Sequence, residues 1–434
     1  MSPGAGLRRA YAGGRRRDRP ENDPRGGGAG AARVPIVPGP AGSPEPAGAA
    51  AHRARRAGPP AAAVRPDGRE RDDGHGGARA GLSRLRPEIR RAGAQHHPRR
   101  GGRGDSERRA AEGEGVPVTE TEQGWVKVFA PASIANLGPG FDALGVALEG
   151  LGDTIQARRT ETPGVRIVEM TGEKESIPAD PAQNCAGRAA ESVLKQLKGK
   201  AAREAGLEMK LHKGLPQGSG LGSSAASAVG GAVAAHLLFG SALGSNTLIE
   251  AALEGEVLAS GGRHADNLAA SLLGGFTIVR SHEPIDVIRL ELPSAMRFVV
   301  VLPGMEIRTS YARSVLPEMI PLKDAAGNWA NTAALVAAVA RGNVADFGRA
   351  VVDRIVEPVR AKLIPGFADV KKAALETGAH GCSISGAGPA LFAVATAETA
   401  ERVALAMQAA FQRHGLPSRH FVCPPDNRGA RRLD

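Results

Sequence analysis

The 434-residue chain reads as an α+β protein of two domains, and three observations carry that reading. Residues 116–434 are charge-balanced, with 32 basic and 32 acidic side chains, and alternate between short strand-like and helix-like runs. A glycine-rich loop joins an alternating strand to a helix of small residues in the first half. The last third runs strand, helix, strand, strand, helix, strand, which is the split βαβ order. The expected boundaries are 116–290 for the first domain, 291–425 for the second and 426–434 for a polar tail.

The first element is a strand from Trp125 to Ala130 that ends at Pro131. The loop PASIANLGPGFDALG follows, where three glycines and a proline mark a tight turn. Val165-Arg-Ile-Val is strand-like, and Asn184–Leu197 is a helix with Ala189, Val193 and Leu197 in one stripe. Leu207–His212 alternates strictly, as a strand with one buried face does. Gly240 closes the next helix, which is built of small residues, and Gly261-Gly262 stops a further one from about Thr247 to Ser260. Strands at Phe276–Val279 and Phe298–Leu302 bracket the domain junction. Helical stretches are expected at Asn331–Val339 and Val344–Val352. Then come helix Val370–Glu376, strand Gly381–Ile384, turn SGAGP, strand Leu391–Ala395, helix Ala397–His414 and strand Arg419–Cys423. Val403, Met407 and Phe411, four apart, make one buried stripe in that last helix.

Residues 1–115 carry 24 Arg, no Lys and 13 acids, and so hold the whole net charge of +11. With one aromatic (Tyr11) and eight Leu, Ile or Val, this segment falls far below the ~20% apolar content of folded domains and is expected to be disordered. It lacks the apolar core of a secretory signal, and its acids set it apart from a transit peptide. An Arg/Gly/Ala/Pro composition without lysine also suits translated upstream sequence ahead of a mis-assigned start. An RNA partner is disfavoured by interleaved acids and the near absence of stacking aromatics. Nowhere are ~18 apolar residues consecutive, so no membrane span is expected. Three scattered cysteines (Cys185, Cys382, Cys423) give no zinc knuckle, argue against a disulfide framework and point to a reducing cytoplasm.

The most specific chemical signal is PQGSGLGSSAAS at 216–227. Alternating Gly218, Gly220 and Gly222 allow positive φ and close approach, and the loop opens a helix whose free N–H groups favour an anion. It is neither a Walker A loop nor a GxGxxG fingerprint; a phosphate site and a tight helix–strand packing turn are the two readings. Glu256 follows Leu253, Ala252 and Ile249 by three, four and seven residues, on the apolar face of its helix. It either snorkels outward from the edge or, near a phosphate loop, serves a Mg²⁺ ion. His264, Asp266 and Asn267 share one loop; one of the last two is expected to be a plain helix N-cap, the set to hydrogen-bond a polar substrate. Asn136 and Asp142 have the same character.

Three segments, APASIANLGPGFDALG (130–145), PQGSGLGSSAAS (216–227) and CSISGAGPALF (382–392), resemble the three motifs of the GHMP small-molecule kinases. The first motif, the RHADN loop and VEPVRAKLIPG (356–366) resemble the homoserine kinase branch. The similarity covers about Trp125 to Cys423. It implies an N-terminal domain like ribosomal protein S5 domain 2 and a ferredoxin-like C-terminal domain. It also implies ATP-dependent phosphorylation of the L-homoserine hydroxyl, the step that feeds threonine synthesis. Carried over by position, Pro216, Gln217, Gly218, Ser219, Gly220, Leu221, Gly222, Ser223, Ser224, Ala225 and Ala226 would cradle ATP, with Ser224 and Glu256 on Mg²⁺. Asn136, Asp142, His264 and Asn267 would surround homoserine, with Asp142 and Asn267 nearest the reacting hydroxyl. Arg313 and Arg360 would hold its carboxylate, and Gly386 would close the pocket. Ala270 stands where the family usually has proline, which touches loop stiffness alone. A homodimer is compatible with this reading. The competing readings are a GHMP kinase for mevalonate or a sugar, and an RNA-binding protein that uses the Arg-rich segment.

Overall fold

In β1 (Val126–Ala135), Val126, Val128 and Ala130 point inward while Lys127 points to water, the alternation of a half-buried strand. The computed structural model describes residues 124–434 apart from 174–176, 198–203 and 241. The disorder and mis-assigned start expected for 1–115 therefore lie outside the described residues. The strand does not end at Pro131 as expected. Pro131 sits beside a register break, where β2 (Leu144–Thr160) skips from Gly152 to Leu148, and a proline without an N–H is tolerated at such a bulge.

The first sheet is seven-stranded. Its path is β11 (Arg431–Leu433), β1, β2, β4 (Gly206–Lys213), β3 (Gly164–Gly172); β5 (Phe276–His282) pairs with the start of β2, and β6 (Ile285–Leu290) with β5. β3 and β4 are parallel, joined through α1 (Cys185–Lys195), whose Asn184 N-cap accepts from two first-turn N–H groups. On this sheet lies α2 (Ser223–Phe239), a helix apolar on every side and therefore buried. Its glycines bring neighbours close: a Cβ at Gly230 would lie 2.3 Å from Ile155, and one at Gly231 2.2 Å from the Ala186 carbonyl. Next come α3 (Ser245–Ser260) and α4 (Asp266–Leu273). The start of α4 rests directly on β2, where a side chain at Gly145 would meet the Asp266 carbonyl at 2.5 Å.

The second sheet has the order β10 (Ser418–Cys423), β7 (Met296–Pro303), β9 (Leu391–Thr396), β8 (Gly381–Ile384), antiparallel throughout. That is the ferredoxin-like arrangement expected from the split βαβ order. One face, with Val299, Val301 and Leu391, packs on α9 (Phe367–Glu376) and α10 (Ala400–Arg413), where Val403, Met407 and Phe411 form the expected stripe. The other face sends Phe298 and Phe392 into the first core. Phe347 of α7 (Val344–Ala350) meets Phe298 and Phe276 edge-on there, each at 6.2 Å. Both sheets thus share one continuous core.

Three parts of the chain hold more structure than the sequence showed. The polar tail 426–434 is structured: β11 pairs antiparallel with β1, and buried Asp426 holds Arg431 at 2.7 Å. Three residues with two arginines are too short and too charged to read as a strand; an open sheet edge supplies what the local sequence lacks. The helix expected at 331–339 is α6 (Leu322–Arg341), its first turns disguised by Gly327 and Asn328. Short helices α5 (Thr309–Ser314) and α8 (Glu357–Arg360), and strand β6, had no periodic signal long enough to detect.

Candidate active site

Two glycine loops, the turn after β8 and the segments 264–267 and 306–313 converge on one cleft of about 490 Å³. At one end lies the loop 136–143. Asn136 and Asp142 hold left-handed backbones, φ 69° and 57°, a conformation that costs of order 1–3 kcal/mol in non-glycine residues. Asn136 keeps it in place, its Oδ1 accepting the Asp142 N–H at 3.0 Å and its Nδ2 donating to the Gly386 carbonyl at 2.9 Å. Asp142 is thereby aimed at Arg313, which donates to both its oxygens at 3.0 and 2.8 Å. Arg360, 3% exposed, donates to the carbonyls of Ala312 and Gly386, both at 3.0 Å. Both guanidinium groups stack on Phe141, at 5.2 and 5.4 Å. Burial pushes the pKa of Arg360 down to about 10, which leaves it cationic at neutral pH.

His264 lies against this pair, its Nδ1 3.3 Å from Arg313. Burial, reinforced by the Arg313 charge, lowers its pKa, so it is a neutral imidazole at neutral pH. Its Nε2 and the Nε of Arg313 are buried without a partner. Orphaned polar atoms in a cleft are what a polar ligand satisfies. Neither Asp266 nor Asn267 is the N-cap expected: Ala265 holds that position, and both side chains fall in the first turn. There the Asp266 carboxylate accepts the Asn267 N–H at 2.8 Å, and Asn267 Oδ1 accepts from Ser133 at 2.8 Å. Burial, then the Asp142 charge, lifts Asp266 to about 7.

The other end of the cleft is the 216–227 loop. Gly218, Gly220 and Gly222 all have positive φ, of 60°, 82° and 66°. A Cβ at Gly220 would lie 2.5 Å from the Ser385 carbonyl, so the loop and the SGAGP turn touch backbone to backbone. Ser385 Oγ donates to the Gly220 carbonyl at 2.6 Å. Gly222, left-handed, begins α2 and no side chain caps the helix. Its positive end thus lies open to an anion. Ser224 Oγ donates to Glu256 Oε2 at 2.7 Å. Glu256 is 7% exposed, which corrects the snorkelling alternative. Burial raises its pKa to about 7, against the Ser224 bond and with help from Asp266.

Of the residues singled out in sequence, Asn136, Asp142, Glu256, His264, Asn267, Arg313, Arg360 and Gly386 all line this cleft, as do Gln217, Gly218, Ser219, Gly220, Gly222, Ser223 and Ser224. Leu221, Ala225 and Ala226 are core instead, and Pro216 turns to another surface. Sequence reasoning missed Thr309, Asp153, Lys213 and Ser227. Lys213 was the detectable one, in phase with buried Leu207, Met209 and Leu211.

An acid–arginine cluster at one end and an uncapped helix start at the other equip the cleft to bring a small zwitterion to an anionic group donor. Residues 184–275 match the family model of the GHMP kinases N terminal domain and residues 335–413 that of the GHMP kinases C terminal domain. The chain is 49% identical over 316 residues to a homoserine kinase of Arabidopsis thaliana, covering 70% of this chain and 84% of that protein. It is 43% identical over 312 residues to the homoserine kinase of Chlorobium phaeobacteroides (strain BS1), covering 70% and 98%. The crystal structure of homoserine kinase from Cytophaga hutchinsonii superposes with a TM-score of 0.68 at 41% identity, covering 72% of this chain and 99% of that one.

Proposed function

The chain belongs to the GHMP kinases and, within them, to the homoserine kinase family, and from that premise we propose that it transfers the γ-phosphoryl group of ATP to the side-chain hydroxyl of L-homoserine. The observation that carries the reading is the two-ended cleft, with its orphaned nitrogens on His264 and Arg313 at the amino-acid end. Arg313 and Arg360 bind the substrate carboxylate; Asp142 and Asn136 bind its amine, with His264 alongside. Asn267 and Asp142 hold the hydroxyl in line, and Gly386 closes this end. The product set is O-phospho-L-homoserine, ADP and the hydroxyl proton. A loose phosphoryl transition state needs positioning and charge neutralisation more than a strong base.

The N–H groups at the start of α2 and the loop residues Gln217–Gly220 and Gly222–Ser224 that line the cleft cradle the ATP phosphates. Among the described residues no three His, Cys, Asp or Glu side chains form a metal cage. One buried carboxylate beside one hydroxyl suits Mg²⁺, which completes its shell with phosphate oxygens and water. Ser224 and Glu256 would hold that ion, which when bound would neutralise phosphate charge. A cytoplasmic location is supported by the three cysteines, Cys185, Cys382 and Cys423, all of which are free thiols.

The test is ADP release with homoserine, serine, mevalonate and galactose as acceptors. Homoserine is expected to be preferred by orders of magnitude in kcat/KM; faster turnover of mevalonate or galactose refutes the assignment. A homodimer is supported by the outer face of α6, where Leu322 (72% exposed) and Trp329 (64%) share one stripe with Ala326 and Ala333. Trp329→Glu is expected to shift a dimer to monomer in light scattering, and an unchanged mass removes this face from the interface.

A further inference from the structure

Beneath the phosphate loop, and outside every role assigned above, sits a buried ion pair. Lys213 is 3% exposed and Asp153 1%. Lys213 Nζ donates to the Asp153 carboxylate, to Ser227 Oγ at 2.6 Å and to the Ser223 backbone carbonyl at 3.0 Å. Asp153 in turn accepts the Gly214 N–H at 3.0 Å and the Ser227 hydroxyl at 2.7 Å. Lys213 precedes the loop and Ser223 follows it, so one ammonium and one carboxylate join both ends of residues 214–222 to strand β2.

Although Lys213 lines the cleft, it has no donor left for a ligand. An ammonium carries three N–H bonds, and here three acceptors take them. A lysine beside a phosphate loop invites the reading of a direct phosphate contact, which this saturation opposes. Stability alone is a poor reason for the pair, because a buried ion pair gains little over apolar side chains of the same size. What it supplies is geometry, since it fixes where the uncapped first turn of α2 stands relative to the sheet.

Resting on the ATP-kinase reading, we propose that Lys213 and Asp153 are positioning residues for nucleotide: they clamp the two ends of the phosphate loop, so that the start of α2 is held ready for ATP before it arrives. Lys213 touches no substrate. It acts through the Ser223 carbonyl and the Ser227 hydroxyl.

The experiment compares Lys213→Met with the doubly neutral Lys213→Met/Asp153→Asn, measuring ADP binding by calorimetry without acceptor, both KM values and the thermal midpoint. The single variant leaves a carboxylate buried without its cation and is expected to melt well below wild type. The double variant removes that penalty, because asparagine Oδ1 still accepts from Gly214 while its Nδ2 donates to the Ser227 hydroxyl, freed of Lys213, and it carries the test if the single one does not fold. Its midpoint is expected to recover while ADP Kd and ATP KM stay raised about tenfold, because loop ends no longer tied together must be ordered when nucleotide binds. Homoserine KM should move less than about twofold, since no atom of the pair reaches the amino-acid end. Wild-type ADP affinity in the double variant would reduce the pair to a structural role and overturn the proposal. So would a parallel rise of ATP and homoserine KM, which marks collapse of the whole cleft. Because ADP binding is read without acceptor, a wrong acceptor assignment would not disturb the result.

Discussion

Replacing Glu256 by glutamine is expected to cut kcat by about a thousandfold while making the ligand-free protein harder to unfold. The catalytic loss follows from its position. Glu256 is the buried carboxylate beside Ser224 at the phosphate end, and metal-ion stabilisation is worth several kcal/mol in a transition state, with each 1.36 kcal/mol a factor of ten. Glutamine keeps the shape and still accepts from Ser224 Oγ through its amide oxygen, so the change isolates the charge. Turnover like wild type at limiting Mg²⁺ would take Glu256 out of the metal site.

The stability gain comes from the same burial. The folded protein holds the Glu256 proton up to about pH 7, against an ordinary value of 4.5. Between those values the folded state binds more protons than the unfolded one, so stability falls as pH rises through the window. Above about pH 7 the full penalty is present, up to about 3 kcal/mol at 1.36 kcal/mol per unit. Glutamine has nothing to ionise. With a chelator present, the variant and wild type should melt together near pH 4.5, and the variant should melt higher by pH 8. Equal midpoints at both pH values would mean that the carboxylate is solvated in the folded protein.

How much of this site was legible in the sequence depended on what each residue had to satisfy. The phosphate loop could be read because Gly218, Gly220 and Gly222 need positive φ and leave a spacing few other structures demand. The ferredoxin-like half could be read because each of its elements carries its own short periodic signal, although the sheet order β10-β7-β9-β8 departs from the chain order. Glu256 was half legible: the 3.6 period placed it on the apolar face, but only tertiary packing decided that the carboxylate stays inside. Arg313 stands on a six-residue helix with no periodicity to show, so only resemblance to a family picked it out. The Lys213–Asp153 pair joins residues 60 apart, a contact that no local pattern encodes, although a lysine in phase with three buried apolar residues was its visible trace. Strand β11 was hidden for the same reason, because its partner lies some 300 residues upstream.

The second large effect is expected at the amino-acid end. Arg360→Lys should raise KM for homoserine by about a hundredfold and leave ATP KM within about twofold, a cost in line with losing more than one hydrogen bond to a charged group. In the folded protein the guanidinium spends Nε on the Ala312 carbonyl and Nη1 on the Gly386 carbonyl, and it stacks on Phe141. Those contacts fix its plane, which leaves the remaining N–H groups for a carboxylate. Lysine offers a point charge on a flexible stem; it cannot reach both carbonyls, stack and face the ligand at once. Its ammonium would also be less tolerant of burial, since Arg360 stays charged at a pKa of about 10 where a desolvated lysine titrates readily. Asn136 would still donate to the Gly386 carbonyl, so the SGAGP turn should stay in place and nucleotide binding with it. The measurement is the pair of KM values, with the thermal midpoint followed in parallel. Weakened ATP binding with an unchanged homoserine KM would move Arg360 to the nucleotide. A midpoint falling together with both KM values would make it a strut between Ala312 and Gly386 and take it out of the carboxylate clamp.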